Sequence, residues 1–320
     1  MKKFLLKTML YALLVFLFFT GFTRLCLTGL HQSDFGNLNE WKEILEGKVN
    51  ADVWIQGSSR ARVHFDTHLL DSFLHINSYN AGMDGSPFDI QYLRWKAYLA
   101  NNAAPAMVIQ HVDLDLLDAN ESVFQKYQYF PFYNNPTLRP LLLESGILNS
   151  ADRFLPFTML MGEPQSIRLG LEALMGKRYA TKEYKGFEAH QGEWQGENLA
   201  FMKSRPPRDW VVDESPAILF NRFIQECRDK NIRLVLVYSP MYKEVKEVII
   251  DFDGSVELYR QLATKHGIEF YDFSRGELSQ DKANFYNATH LNARGAAAFT
   301  QQLADSLDLK FRQITPTVPL

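Results

Sequence analysis

Apolar and polar positions change their period several times along the chain, and those changes outline the fold. A basic start (Lys2, Lys3, Lys7) leads into an apolar run from Met9 to Phe22, then Thr23, Arg24 and a second apolar patch from Leu25 to Leu30. The uninterrupted core is shorter than the roughly 20 residues that span a bilayer, but Arg24 can lengthen it by reaching toward the interface. No small-x-small cleavage site follows, and Arg24-Leu25 ahead of Cys26 does not form a lipoprotein cleavage box. An uncleaved signal-anchor over residues 1–30 is the favoured reading, with a cleaved signal peptide and a soluble protein as alternatives. Lysines before the helix keep the N-terminus in the cytoplasm. The expected product is a single-pass cell-membrane protein whose main domain, residues 31–320, is periplasmic or at the cell surface.

Beyond the anchor, short β-rich runs alternate with helical spacing. Asp52 to Gln56, Ile76 to Tyr79, Ala106 to Val112, Arg233 to Tyr238 and Ile268 to Phe273 predict strands. Phe88 to Asn101, Ala217 to Lys230, Val256 to His266 and Gly295 to Leu307 predict helices, with Asn231 and Gly267 as left-handed stops. Such alternation implies an α/β fold, a parallel sheet wrapped on both faces by helices. Ligands in such sheets sit beyond the carboxyl ends of the strands, where Ser59, Gly85, Asp113 and Ser239 all fall. Residues from about 121 to 213 break the alternation. They begin with an aromatic run from Phe124 to Tyr133, continue with helical pieces from Pro164 to Met175, and include a polar tract from Tyr179 to Arg208. This stretch reads as an insertion after the third strand that caps the active face. Its aromatics are either the insertion's own core or a platform for sugar rings.

Composition narrows the partners. A formal net charge of -3 over 320 residues leaves no basic domain to neutralise phosphates, which argues against nucleic acid. Cys26 in the membrane segment and Cys227 on a helix cannot sensibly pair, and no Cys-rich zinc pattern exists. His64 and His68 are four apart but lack an acidic partner motif. No cofactor or metal is expected.

The candidate chemistry lies in two places far apart in the chain. In Val53-Trp54-Ile55-Gln56-Gly57-Ser58-Ser59-Arg60 an apolar strand runs into glycine and small hydroxyl residues, which can expose Ser59 at the strand's end. In Asn287-Ala288-Thr289-His290-Leu291-Asn292 a histidine returns near the C-terminus as the base such a serine needs. Between them, Asn80-Ala81-Gly82-Met83-Asp84-Gly85 is a turn with two glycines, suited to close backbone approach to a ligand. Ser59 could instead be a helix-capping turn serine.

These segments resemble the SGNH, or GDSL, hydrolase superfamily over about residues 50–115 and 215–307, leaving the insertion unmatched. The resemblance implies a three-layer α/β/α fold with a flavodoxin-like parallel sheet. Gly57-Ser58-Ser59 is similar to the family's Gly-Asp-Ser block in the Gly-Ser-Ser form of its membrane-anchored branch. It makes Ser59 the nucleophile, with the Ser59 and Gly85 amides as oxyanion donors and Gly82 as second choice to Gly85. The family's third block supplies an asparagine donor, whereas this strand ends Gln110-His111-Val112-Asp113, where His111 is either a substitute donor or, as a histidine at a strand end more often is, structural. The last block pairs an aspartate with a histidine three residues later; here His290 matches, and Asn287 stands in the aspartate's place. Asp272 and Asp281 are the available replacement acids. Ser58, Arg60, His111 and Asp113 are candidates for substrate contact.

The anchored branch that the chain resembles includes alginate O-acetylation and lipoteichoic-acid D-alanylation proteins. The implied function is a serine esterase or O-acyltransferase acting on cell-surface glycan through a Ser59 acyl intermediate. Implied partners are a glycan or acylated surface polymer, the membrane through the N-terminal helix, and a multispanning acyltransferase. The alternatives are a catalytically weakened member that binds glycan or assists assembly, which Asn287 favours, and a purely structural envelope protein.

Overall fold

The runs Val53–Gln56, Met107–His111 and Arg233–Tyr238 are short, apolar and rich in branched residues, and all but Arg233 are buried. Strands buried on both faces read as continuous apolar runs because helices cover each side. A computed structural model describes residues 1–119, 125–179 and 183–311 of the chain. Its main sheet contains β1 (Val53–Gln56), β2 (Ser78–Asn80), β3 (Met107–His111), β4 (Arg233–Tyr238) and β5 (Glu269–Asp272). All neighbours are parallel in the order β2-β1-β3-β4-β5, the flavodoxin-like order. The chain therefore has the expected α/β fold, with helices on both faces, an N-terminal apolar helix, and a long insertion between β3 and β4.

In chain order the helices are α1 (Lys2–Gln32), α2 (Leu38–Leu45), α3 (Ser59–His64), α4 (Thr67–Leu74), α5 (Phe88–Asn101) and α6 (Leu138–Glu144). They continue with α7 (Pro164–Leu174), α8 (Glu197–Lys203), α9 (Glu214–Asp229), α10 (Phe252–His266) and α11 (Ala293–Phe311). On the sheet, α5 packs against α9 through the rings of Phe88, Trp95, Phe220 and Phe223. Helix α11 packs against α3 and α4. Trp54 is enclosed by the rings of Tyr79, Trp95 and Tyr98. Its indole N–H donates to Gln56, whose amide donates to Gln110, which donates in turn to Gln91. Buried amides cost little when each finds a partner, and this chain of glutamines crosses from β1 through β3 to α5.

The chain divides into two compact units, residues 1–46 with 123–181, and residues 47–122 with 182–320. The expected division, an anchor to residue 30 and one domain after it with a single insertion, differs from this grouping. Only the first part of the insertion joins the N-terminal segment; residues 183–213 belong with the sheet. The expected start of the insertion at Glu121, and Phe124 at the head of its aromatic run, lie outside the described residues. In the first unit Tyr127, Tyr129, Phe130 and Phe132 are buried. Trp41 of α2 meets Tyr129 edge to face and donates its indole N–H to Gln128. These aromatics are core, as the first of the two readings had it. Helix α1 is long and apolar enough to cross a membrane, and its most apolar stretch is unburied.

Candidate active site

The site forms where β1 ends. Gly57 follows Gln56 and is packed so closely that a Cβ there would lie 2.7 Å from the Cβ atoms of both Ala61 and His111. Only glycine lets the chain turn this tightly from strand into helix. Ser58 is the N-cap residue of α3 and Ser59 its first residue, and Ser58 makes no side-chain capping bond. The Ser59 hydroxyl instead lies 2.8 Å from His290 Nε2. The two residues read from opposite ends of the chain are thus in hydrogen-bond contact.

The proton on the His290 ring can be assigned from its neighbours. Asn287 Oδ1 accepts from the backbone N–H groups of Thr289 and His290, both at 3.0 Å. An amide N–H can only donate, so the side-chain atom facing these groups is the oxygen. That oxygen also lies 3.0 Å from His290 Nδ1, so Nδ1 carries the proton and shares it with Thr289 Oγ1 at 3.0 Å. In the neutral ring Nε2 then presents a lone pair to the Ser59 hydroxyl, the orientation a general base requires. Burial, then the charges of Arg60 and His190, push His290 down to about 3. No carboxylate contacts the ring among the described residues. Asp272 pairs with Arg260 at 3.5 Å, and Asp281 caps the Lys282–Asn284 turn through the Ala283 N–H, so neither candidate replacement acid is engaged with His290.

The loop after β2 is fastened beside Ser59 by its own side chains. Asn80 donates to the carbonyls of Ala61 and Phe65 and accepts from the Gly82 N–H. A Cβ on Gly82 would overlap the Arg62 backbone nitrogen of α3, so Gly82 serves this close approach. Gly57 O accepts from the Met83 N–H at 3.1 Å. Gly85, at φ 56°, lines the same cavity as Ser59 and His290. Its N–H makes no backbone hydrogen bond outside helices and strands among the described residues.

Of the four candidates for substrate contact, Ser58, Arg60 and Asp113 line the cavity and His111 does not. Ser58 donates to Asp113 Oδ2 at 2.7 Å, which ties the Ser59 turn to the end of β3. His111 has no solvent exposure. The tight contact of Gly57 with its Cβ sends the ring beneath the turn, which fits the structural reading of His111 and not a contact with substrate.

His111 belongs instead to a buried hub on Ser239, at the end of β4. Ser239 Oγ lies 2.7 Å from His64 Nδ1, 2.9 Å from His111 Nε2 and 3.1 Å from Arg60 Nη2. His64 Nε2 accepts the Leu291 N–H at 3.0 Å, so His64 Nδ1 carries a proton and donates to Ser239. Arg60 also donates there, which leaves the serine hydroxyl to donate to His111 Nε2. Burial, followed by the charge of Arg60, holds His64 and His111 well below the usual histidine range. Through the Leu291 N–H, His64 holds the segment that carries His290. In the sequence Ser239 falls at a strand end and His64 stands four residues from His68, and neither pattern by itself points to a shared hub. The overlooked signal is that His64 lies on the same short helix as Ser59.

The cavity has a volume of about 380 Å³. Asp113, Asp115 and Arg208 supply charge, while Phe201, Met202, Met241, Val245 and Ile249 supply apolar wall. Phe201, Met202 and Arg208 come from the later part of the insertion. Burial and neighbouring Asp113 push the Asp115 carboxyl up to about 6, against the pull of Arg208. The mixed lining suits a molecule with an apolar group joined to a polar one.

No protein-family model matches the chain, and no curated protein matches it. Among solved structures it is similar to a Bacteroides fragilis protein described as a "putative acylhydrolase", at 10% identity and a TM-score of 0.40, covering 86% of this chain and 97% of that one. At that distance the likeness adds nothing to what the sheet order already establishes.

Proposed function

We propose that this protein is a membrane-tethered, extracytoplasmic serine enzyme, an esterase or O-acyltransferase acting on cell-surface glycan through an acyl group carried on Ser59. The observation that carries this reading is the 2.8 Å contact between Ser59 Oγ and an unprotonated His290 Nε2, at the wall of an open cavity. His290 takes the Ser59 proton as Oγ attacks an ester carbonyl. The Ser59 and Gly85 amides receive the oxyanion, an arrangement worth several kcal/mol when preorganised. His290 then returns the proton to the leaving alkoxide, and the acyl group rests on Ser59. Water as the second acceptor gives hydrolysis; a glycan hydroxyl gives transfer. The apolar wall of Met241, Val245 and Ile249 suits the acyl group, and Asp113 and Arg208 suit a polar carrier. The glycan comes from the resemblance, which also suggests a multispanning acyltransferase as partner, and the tether from α1.

A fluorophosphonate probe tests the chemistry. The protein labels at neutral pH, and Ser59→Ala abolishes labelling while leaving the fold intact. Absence of labelling in the folded wild-type protein would remove the enzyme reading. The second reading, a weakened member that binds glycan without turnover, draws on His290: a base held down to about 3 beside an amide is a weak one at neutral pH. Glycan binding in a protein that does not label would favour it.

A further inference from the structure

Residues 154–162 read Phe-Leu-Pro-Phe-Thr-Met-Leu-Met-Gly, without a charge, between Arg153 and Glu163. Within their unit, Phe154 is 72%, Leu155 37% and Met161 71% exposed, so this charge-free run leaves several large apolar side chains uncovered, as a membrane-contact surface does. The segment runs beside α1. The Phe157 ring lies 6.3 Å from that of Phe16 and 6.1 Å from that of Phe19. Further along, α7 closes on α1 so tightly that a Cβ on Gly29 would overlap the Gly170 carbonyl. Beyond α7, the Tyr179 N–H bonds to Asp34. The two stretches therefore run in the same direction, and depth along α1 sets the depth of residues 157–175.

That depth falls inside a bilayer if α1 spans one. Taking Arg24 at the interface far from Lys2, Lys3 and Lys7, Phe16 and Phe19 precede it by eight and five positions, about 12 and 8 Å at about 1.5 Å per residue. The hydrocarbon half-thickness is about 15 Å, so Phe157 lies within it. Polar groups at that depth must be satisfied internally. Turns supply this: the N–H groups of Phe154, Leu155, Thr158, Met161 and Glu163 donate to nearby carbonyls. Pro156 has no N–H, and the Thr158 hydroxyl has Asp152 and Leu155 as acceptors. Beside α1 the segment leaves an apolar cleft of about 320 Å³, walled by Phe19, Phe22, Phe157, Leu160, Met161 and Ile167.

We propose that residues 154–162 form a wedge immersed in the leaflet far from the N-terminal lysines, and that lipid acyl chains fill the cleft between this wedge and α1. The proposal rests on α1 as a membrane span and is independent of the chemistry at Ser59.

The test uses the full chain in phosphatidylcholine vesicles with single fluorophores on Leu13→Cys, Met161→Cys and Met175→Cys. Cys26 and Cys227 are buried and free, so labelling is directed to the new thiols. With lipid brominated at mid-chain, the probes at 13 and 161 lose most of their fluorescence and the probe at 175, past the end of α7, retains it. Aqueous iodide gives the opposite pattern. Quenching by bromolipid at 13 alone, with iodide reaching 161 as readily as 175, overturns the wedge and leaves the span standing. Failure of bromolipid at both 13 and 161 overturns the span and the wedge together.

Discussion

Replacing Asn287 by aspartate isolates the one feature of the site that departs most from a conventional serine-histidine-acid arrangement. Asn287 Oδ1 lies 3.0 Å from His290 Nδ1, so a carboxylate there places a negative charge about 4 Å from the centre of the imidazolium that forms when His290 takes the Ser59 proton in the proposed reaction. At that distance and an effective dielectric constant of about 20, attraction reaches about 4 kcal/mol, an upper bound of about 3 pKa units. Opposite charges this close shift a group by about 1–3 units, so His290 rises from about 3 to roughly 4–6. Removing the acid in serine proteases costs about 10⁴ in turnover, part of it through the wrong imidazole tautomer. Here the Thr289 and His290 amides already fix the tautomer through Oδ1, so only the electrostatic part is left to gain. The expected increase is about tenfold, with about a thousandfold as its upper bound, since each ~1.4 kcal/mol is tenfold. Fluorophosphonate labelling rates measured from pH 4 to 8 check this. Asn287→Asp reacts faster at neutral pH, and its acid limb, which in the wild type lies below the measured range at about 3, rises by about 1–3 units into it. A folded Asn287→Asp protein that labels no faster, with an unmoved limb, would falsify the claim that residue 287 governs the base.

Three further outcomes follow from the same geometry. Ser239→Ala removes the acceptor of His64 Nδ1–H and the donor to His111, at about 1–3 kcal/mol for each group left unsatisfied; an unchanged urea midpoint would contradict the hub. Gly82→Ala forces the Asn80–Gly85 turn away from Arg62, costing about 1–3 kcal/mol for overpacking and slowing Ser59 labelling more than an equally destabilising core substitution does. His64, His111 and His290 all have native pKa values below the ordinary one. Below about pH 6.5 the unfolded chain takes up protons that the native state refuses, so stability falls with falling pH until the native values are reached. The slope is up to about 1.4 kcal/mol per pH unit per histidine. Thermal unfolding measured between pH 8 and 5 should stay level at the top of that range and fall below 6.5; a flat midpoint from pH 7 to 5 would show that these rings are not buried neutral.

What could be read from the chain was whatever a local pattern encodes. The sheet was legible because each strand is a short apolar run closed by a turn, and α5 occupies Phe88–Asn101 as its periodicity predicts. Asn231 and Gly267 are both left-handed stops. Ser59 and His290 were legible because each sits in its own short motif, although the two are far apart in sequence. The division into units was not, because burial of Tyr129 depends on Trp41, and periodicity does not say which core an aromatic joins. Which of its two readings His111 takes was not legible for a related reason: its direction is set by the packing of Gly57 against its Cβ.

Asn287 was the hardest residue to read, since what an amide does depends on which of its two ends faces the ring. An aspartate in this place performs two functions at once, fixing the imidazole tautomer and stabilising the imidazolium. In this protein the backbone orients an uncharged oxygen, and that oxygen fixes the tautomer without help from charge. The second function goes unserved, and Arg60, paired with Ser239 rather than with a carboxylate, acts against it by pushing His290 down. The pair at Ser59 is therefore correctly aligned and electrostatically underpowered. Alignment and charge become separable variables here, with Asn287→Asp altering the charge and Asn287→Ala, which loses the oxygen, altering the alignment. If alignment is what the site depends on, Asn287→Ala labels more slowly than wild type by about tenfold or more, the scale of a lost positioned general base. Equal rates for Asn287→Ala and wild type would mean that Thr289 alone holds the ring.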